Sequence, residues 1–303
     1  MNFLKLRKAA YQPASEYVKH CYKIPNNIPA LPLGDEPFAA LWLEKYSDCG
    51  LHRQEDLRGR RVLDLLTEGF GLDAYGFAWQ NADGLSLGIA ETLAGRIPVI
   101  STESHGDFRN MEALVNGRRE ASDLPPTVNA FTIVARAGSI FRHRIILLNY
   151  APYSNIPASF LGLSREEWLV RSHRLRLRHE CAHYEMLRLF GDMENHALDE
   201  IAADAMGQIA AFGNVDADRQ RLFFGLTRGG DICKGRLSFY CGTVLPEERR
   251  DIYRAVDRVL DSIADEVNRL LGTGASEFEI LKSLAGRSIA DRLTEQSVLQ
   301  NPV

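Results

Sequence analysis

Residues 164–191 read Ser164-Arg165-Glu166-Glu167-Trp168-Leu169-Val170-Arg171-Ser172-His173-Arg174-Leu175-Arg176-Leu177-Arg178-His179-Glu180-Cys181-Ala182-His183-Tyr184-Glu185-Met186-Leu187-Arg188-Leu189-Phe190-Gly191. Ser164 followed three residues later by Glu167 is a capping signature, because a serine hydroxyl and a glutamate carboxylate can satisfy amides that a first helical turn leaves unpaired. No proline or glycine interrupts the stretch until Gly191, the residue type that most readily ends a helix in the left-handed conformation. The alternation Arg174-Leu175-Arg176-Leu177-Arg178 is what a half-buried strand would show, but the cap upstream predicts a helix through it. On a helix, positions four apart lie roughly 40° apart around the axis, so His179 and His183 point from one face and Glu180 sits beside them.

Working outward, Asp192-Met193-Glu194-Asn195 follows Gly191 as a polar reversal, and a second helix is expected over about 196–212. It carries Glu200-Ile201-Ala202-Ala203-Asp204, with Glu200 and Asp204 on a shared face, and small residues at Ala203 and Gly207 would let two helices approach closely. Two imidazoles on one face supply two ligands for a metal ion, and a catalytic zinc usually takes a third from elsewhere in the chain. Glu200 is the candidate third ligand, with His196, Asp199 and Glu194 as nearby alternatives. Asp204 is placed to accept the remaining ring proton of one histidine and so fix its tautomer.

The combination resembles the zincin metallopeptidases, and within them the gluzincin pattern of His-Glu-x-x-His on one helix and Glu-x-x-x-Asp on a later one. The resemblance implies that His179, His183 and Glu200 bind Zn2+, that Asp204 supports them, and that Glu180 acts as the general base toward the water that attacks a peptide bond. It implies a zincin-like fold and a peptide or protein substrate. The metzincin branch would need a histidine where Leu189 stands, and the family has an apolar residue where this chain has Glu185. Tyr240 and Arg236 lie in a later helical region that could close over the site and polarise a carbonyl, but nothing in their spacing singles them out. The alternative expectation is a non-catalytic, zincin-like metal-binding or protein-interaction module.

The rest of the chain predicts an α+β protein: a mixed α/β lobe with a small sheet over 1–155 and an all-α lobe over 156–303, a composition shift that fits two lobes of one continuous unit as well as two domains. Short apolar runs at Val62–Leu66, Leu85–Ile89, Ile97–Ser101, Ala130–Ala135 and Arg144–Asn149 are expected strands, the last two forming a hairpin. The prolines in 24–34 predict an extended connector. Helices are expected at about 216–227, 246–271 and 277–295, the second of these with Ile252, Ala255, Val256, Val259, Leu260, Ile263, Val267, Leu270 and Leu271 at core-facing spacing. If the strand around Ile145–Asn149 is an exposed edge, an extended peptide substrate can add to it. His105, after a predicted strand end, is better explained by a structural turn than by chemistry.

Composition sets outer bounds. The 303 residues are 45% hydrophobic and 25% charged, an ordinary globular balance. With 36 basic against 40 acidic residues the net charge is -4, which argues against nucleic acid or an anionic membrane as partner. Charges interrupt the opening Met1-Asn2-Phe3-Leu4-Lys5-Leu6-Arg7-Lys8, where a secretory signal would be apolar, so a cytoplasmic location is expected. Cys21, Cys49, Cys181, Cys233 and Cys241 are dispersed and predict free thiols.

Overall fold

A computed structural model describes residues 11–28, 30–50 and 55–300, the last three by backbone alone. Among these the architecture is α+β, with a five-stranded sheet in the N-terminal half and helices in the C-terminal half. The chain divides into two compact units, residues 30–155 and residues 11–28 together with 156–300. The division falls between Asn155 and Ile156, and residues 11–28 belong with the helices rather than the sheet. The physical reason lies in their aromatic side chains. Tyr17 is 1% exposed, stacked on His196 with ring centroids 3.9 Å apart, and Tyr22 packs against Phe190. The short helix α1 (Ala14–Tyr17) lies in this segment.

In the sheet unit, α2 (Pro37–Asp48) presents Trp42 to the core, its indole N–H donating to His143 Nδ1 at 3.1 Å. β1 (Leu57–Arg58) precedes α3 (Arg60–Asp64), which runs into a wider π turn at Leu65–Gly69. The strand expected at Val62–Leu66 is thus helical. Val62, Leu63 and Leu66 lie on one side of consecutive helical turns and are all buried, and a short apolar run is equally suited to either geometry. β2 (Ser86–Thr92) and β3 (Gly95–Thr102) form an antiparallel hairpin, α4 (His105–Val115) crosses over, and β4 (Ala130–Val134) and β5 (Arg144–Asn149) form the second hairpin. The strand order is β1-β2-β3-β5-β4, with β3 and β5 parallel. β5 therefore has a partner on each side and buries Ile145 through Asn149. It is not an edge, and the expected addition of a peptide to Ile145–Asn149 is excluded because its backbone groups are already paired.

The helical unit opens with α5 (Arg165–Phe190). The Ser164 hydroxyl accepts from Glu167 N at 3.1 Å, and Gly191 ends the helix at φ 87°. α6 (Ala197–Phe212) returns against it, and α7 (Ala217–Phe224) follows after an Asp216 cap. A short α8 (Leu237–Tyr240) precedes α9 (Arg249–Gly272). In α9, Ile252, Val256, Val259, Leu260, Ile263 and Val267 form the buried stripe, while Ala255, Leu270 and Leu271 are half-buried at its margins. The single helix expected at 277–295 is two, α10 (Glu277–Ala285) and α11 (Ile289–Gln300). Ser288 restarts the chain by accepting from Asp291 N at 3.0 Å while Asp291 accepts from Ser288 N at 3.0 Å. No helix among the described residues is long and apolar enough to cross a membrane.

Candidate metal centre

α5 and α6 build the site. Gly207 is where they approach most demandingly: a Cβ there would lie 2.8 Å from the Leu175 carbonyl oxygen and 3.0 Å from its Cδ2. The absence of a side chain sets the helix spacing that lets α6 carry Glu200 and Asp204 to the histidines on α5. All four are buried, at 6%, 7%, 4% and 0% exposure for His179, His183, Glu200 and Asp204.

The geometry converges on one point. His179 Nε2 and His183 Nε2 are 3.0 Å apart with their rings nearly perpendicular, and Glu200 lies 3.5 Å from the first through Oε2 and 3.4 Å from the second through Oε1. Ligands of a tetrahedral ion bound at about 2.0–2.1 Å are separated by roughly 3.3 Å, so these spacings suit a small divalent cation. His179 Nδ1 is 2.8 Å from Asp204 Oδ1, which fixes the ring with Nδ1–H donating and directs the Nε2 lone pair inward. His179, His183 and Glu200 thus form a buried group able to hold a metal ion.

The electrostatics of the group favour positive charge at its centre. Burial lowers the His183 pKa, but the hydrogen bond and charge of Glu200, assisted by Glu180 and Asp199, outweigh it and raise the value to about 9. Burial raises Glu200 in turn, and His183, His179 and Arg236 bring it down to about 2. Glu200 and Asp199 also occupy the first turn of α6, where the helix dipole stabilises carboxylates.

Glu180 is 7% exposed and its charge acts on His183. Glu185, where the zincin pattern has an apolar residue, is 1% exposed and paired with Arg178 at 2.9 Å. Burial disfavours the Arg178 cation, but Glu185 and then Glu277 raise its pKa above the ordinary value. The departure from the pattern is therefore a charge with its counter-charge on the same helix.

The alternative third ligands are not brought in. His196 caps α6, accepting from Leu198 N through Nδ1 at 3.0 Å and reaching the Tyr17 carbonyl through Nε2 at 3.0 Å, so both ring nitrogens are engaged. Asp199 faces His20, 3.6 Å from its Nε2, and Glu194 lies 3.7 Å from the other nitrogen of the same ring. His20, His196 and Asp199 also lie within metal-binding reach of one another, but the engaged His196 makes this an ion pair beside a helix cap. His105 heads α4 and meets the Leu124 carbonyl at 3.3 Å, a structural contact.

The sequence offers Arg236 only as a residue of a later helical region that could close over the site, and the structure places it directly behind the ligands, on Glu200 and Asp204. Its Nη1 donates to Glu200 Oε2 at 2.8 Å and its Nη2 donates to Asp204 Oδ2. Gln220 Nε2 also donates to Asp204 Oδ2, at 2.5 Å, and is itself held by Gln208. Tyr240 OH is 3.3 Å from Arg236 Nη1, and burial and the charge of Glu200 raise its pKa well above the usual tyrosine value. The meeting of Arg236 with Glu200, 36 residues away, depends on the tertiary path of the loop after α7.

The fold and site define an α+β protein with a buried two-histidine, one-carboxylate cluster. The chain belongs to a family of unknown function, DUF7005, whose model matches residues 127–289 and so includes β5, α5, α6 and Arg236. No curated protein and no solved structure matches it.

Proposed function

We propose that this chain is a zinc-dependent metallopeptidase in which His179, His183 and Glu200 hold the metal and Glu180 is the general base. The observation that carries the reading is the convergence of His179 Nε2, His183 Nε2 and the Glu200 carboxylate at 3.0–3.5 Å inside the helical unit. When bound, zinc would supply a Lewis acid that polarises a carbonyl and lowers the pKa of a water toward about 7. Glu180 takes the proton from the attacking water and delivers it to the leaving amine, a role its place beside His179 suits. Asp204 keeps His179 in the tautomer whose Nε2 faces the centre. A peptide or protein is the substrate class, and the weak net negative charge fits neither nucleic acid nor an anionic membrane.

The burial of Glu180 itself, at 7% exposure, favours a second reading, a closed metal site in a non-catalytic module. Elemental analysis of protein purified without added metal, followed by assay on unstructured peptides, separates the readings. The peptidase reading expects about one zinc per chain, little in His183→Ala, and a Glu180→Gln variant that keeps zinc but loses hydrolysis. Zinc retained with no cleavage by any form supports the closed module. Absence of zinc from wild type even after it is offered overturns both.

A further inference from the structure

Arg236 carries an inference that rests on the metal reading of His179, His183 and Glu200. Its guanidinium is anchored on three sides. Nε donates to the Phe223 carbonyl at 3.3 Å, Nη1 to Glu200 and Nη2 to Asp204, with the plane packed 5.3 Å from the Phe224 ring centroid. The two carboxylates it joins have different duties toward the same centre: Glu200 faces both histidines, and Asp204 orients His179. We propose that Arg236 is the positioning residue of the metal centre, holding Glu200 by Oε2 so that Oε1 is the oxygen offered to the ion and, through Asp204, locking the His179 ring.

Three features of the chemistry support this. A planar guanidinium has separate N–H groups that reach two acceptors in fixed directions, whereas a lysine ammonium is one compact charge. A carboxylate with one oxygen taken by an arginine binds a metal through the other, which keeps the coordination number low and leaves a position for substrate or water. The Phe223 and Phe224 contacts at the end of α7 hold the guanidinium independently of the two carboxylates it meets. Arg236 acts through Glu200 and Asp204 and touches no reacting atom, so it is not itself catalytic.

The test measures metal affinity by competition with a chromogenic chelator, using the full chain, zinc, and the variants Arg236→Met and Arg236→Lys. Loss of a residue that orients metal ligands typically weakens affinity by about 10–100-fold, and that is expected for Arg236→Met. Arg236→Lys restores charge but reaches one carboxylate, so it should recover only part. Cobalt-loaded protein supplies a second readout: wild type should show the intense visible bands of a tetrahedral site, and Arg236→Met weaker ones as Glu200 turns both oxygens to the ion. Should Arg236→Met fail to fold, Arg236→Lys and Gln220→Met, which loosen Asp204 without removing the cation, carry the same comparison. Variants with wild-type affinity and unchanged cobalt spectra overturn the role of Arg236 while leaving the metal site standing. Wild-type protein that takes up neither metal overturns the ligand reading first, and this one with it.

Discussion

At the scale of single residues, His196 shows how burial converts a titratable side chain into a structural one. Burial, with His20 beside it, lowers its pKa to about 3, and the neutral ring caps α6 while bonding the Tyr17 carbonyl. An unfolded histidine titrates near 6.5, so below that pH the unfolded chain takes up a proton that the folded chain refuses. The stability this residue supports is therefore whole above pH 6.5 and falls by about 1.4 kcal/mol per pH unit as pH drops toward 3. Urea midpoints at pH 7 and pH 5 should fall further in wild type than in His196→Asn, which keeps a capping acceptor but has no proton to gain. Equal losses in the two proteins would remove His196 as the cause. The metal-ligand candidates were legible at this scale because histidine spacing and the Glu200–Asp204 pair are local patterns. Arg236 was not, since its partners come from α6, a separate helix brought near only by packing.

At the scale of elements, α5 and α6 were readable from their ends. Ser164 and Gly191 bound α5 as the capping rules require, and Gly213 ends α6 at φ 76°. Gly207→Ala is expected to cost about 1–3 kcal/mol, because its Cβ would meet the Leu175 main chain and force the helices apart. Since Glu200 and Asp204 ride on the same helix, zinc affinity should fall with stability. A denaturation curve and a zinc titration on the variant check both, and wild-type values would show that the helix pair yields. The pair of half-buried Arg178 and buried Glu185 gives a second test on α5. Glu185→Leu alone strands a guanidinium whose side chain is only 13% exposed and should lose about 3–5 kcal/mol, while Glu185→Leu with Arg178→Met should recover most of it. A single variant as stable as wild type would mean that Arg178 finds sufficient compensation in Glu277, 3.5 Å away. Val62–Leu66 reads as a strand because a short apolar run suits two geometries, and 277–295 reads as one helix because Gly286, which caps α10, does not by itself signal a helix end.

At the scale of the whole molecule, residues 11–28 are the part whose allegiance only the structure reveals. Tyr17 OH donates to the Tyr240 carbonyl at 3.1 Å and accepts from Ala197 N at 2.8 Å, and Ala290 N bonds Val18 O at 2.9 Å. The segment therefore joins the start of α6, the end of α8 and the start of α11 within the helical unit. Tyr17→Ala should cost about 3–5 kcal/mol, a figure suited to a fully buried aromatic, and should speed amide hydrogen exchange at the start of α6. Amides of β3 and β5 should keep their protection, and a uniform loss across sheet and helices would mean that the segment supports the entire chain equally.

Periodicity, capping and turn chemistry are local, and from them the sequence alone determined the α+β class, four of the five strands among the described residues, the long α5 and the two histidines facing one way. Burial and long-range pairing are not local. The tertiary structure decided that β5 is interior, that Glu200 rather than His196, Asp199 or Glu194 meets the histidines, and that the charge behind Glu200 and Asp204 is Arg236. The physical reason is the same in each case: a side chain's partner across a packed interface is set by where helices and strands come to rest, and a linear pattern records the face it presents but not the neighbour it meets.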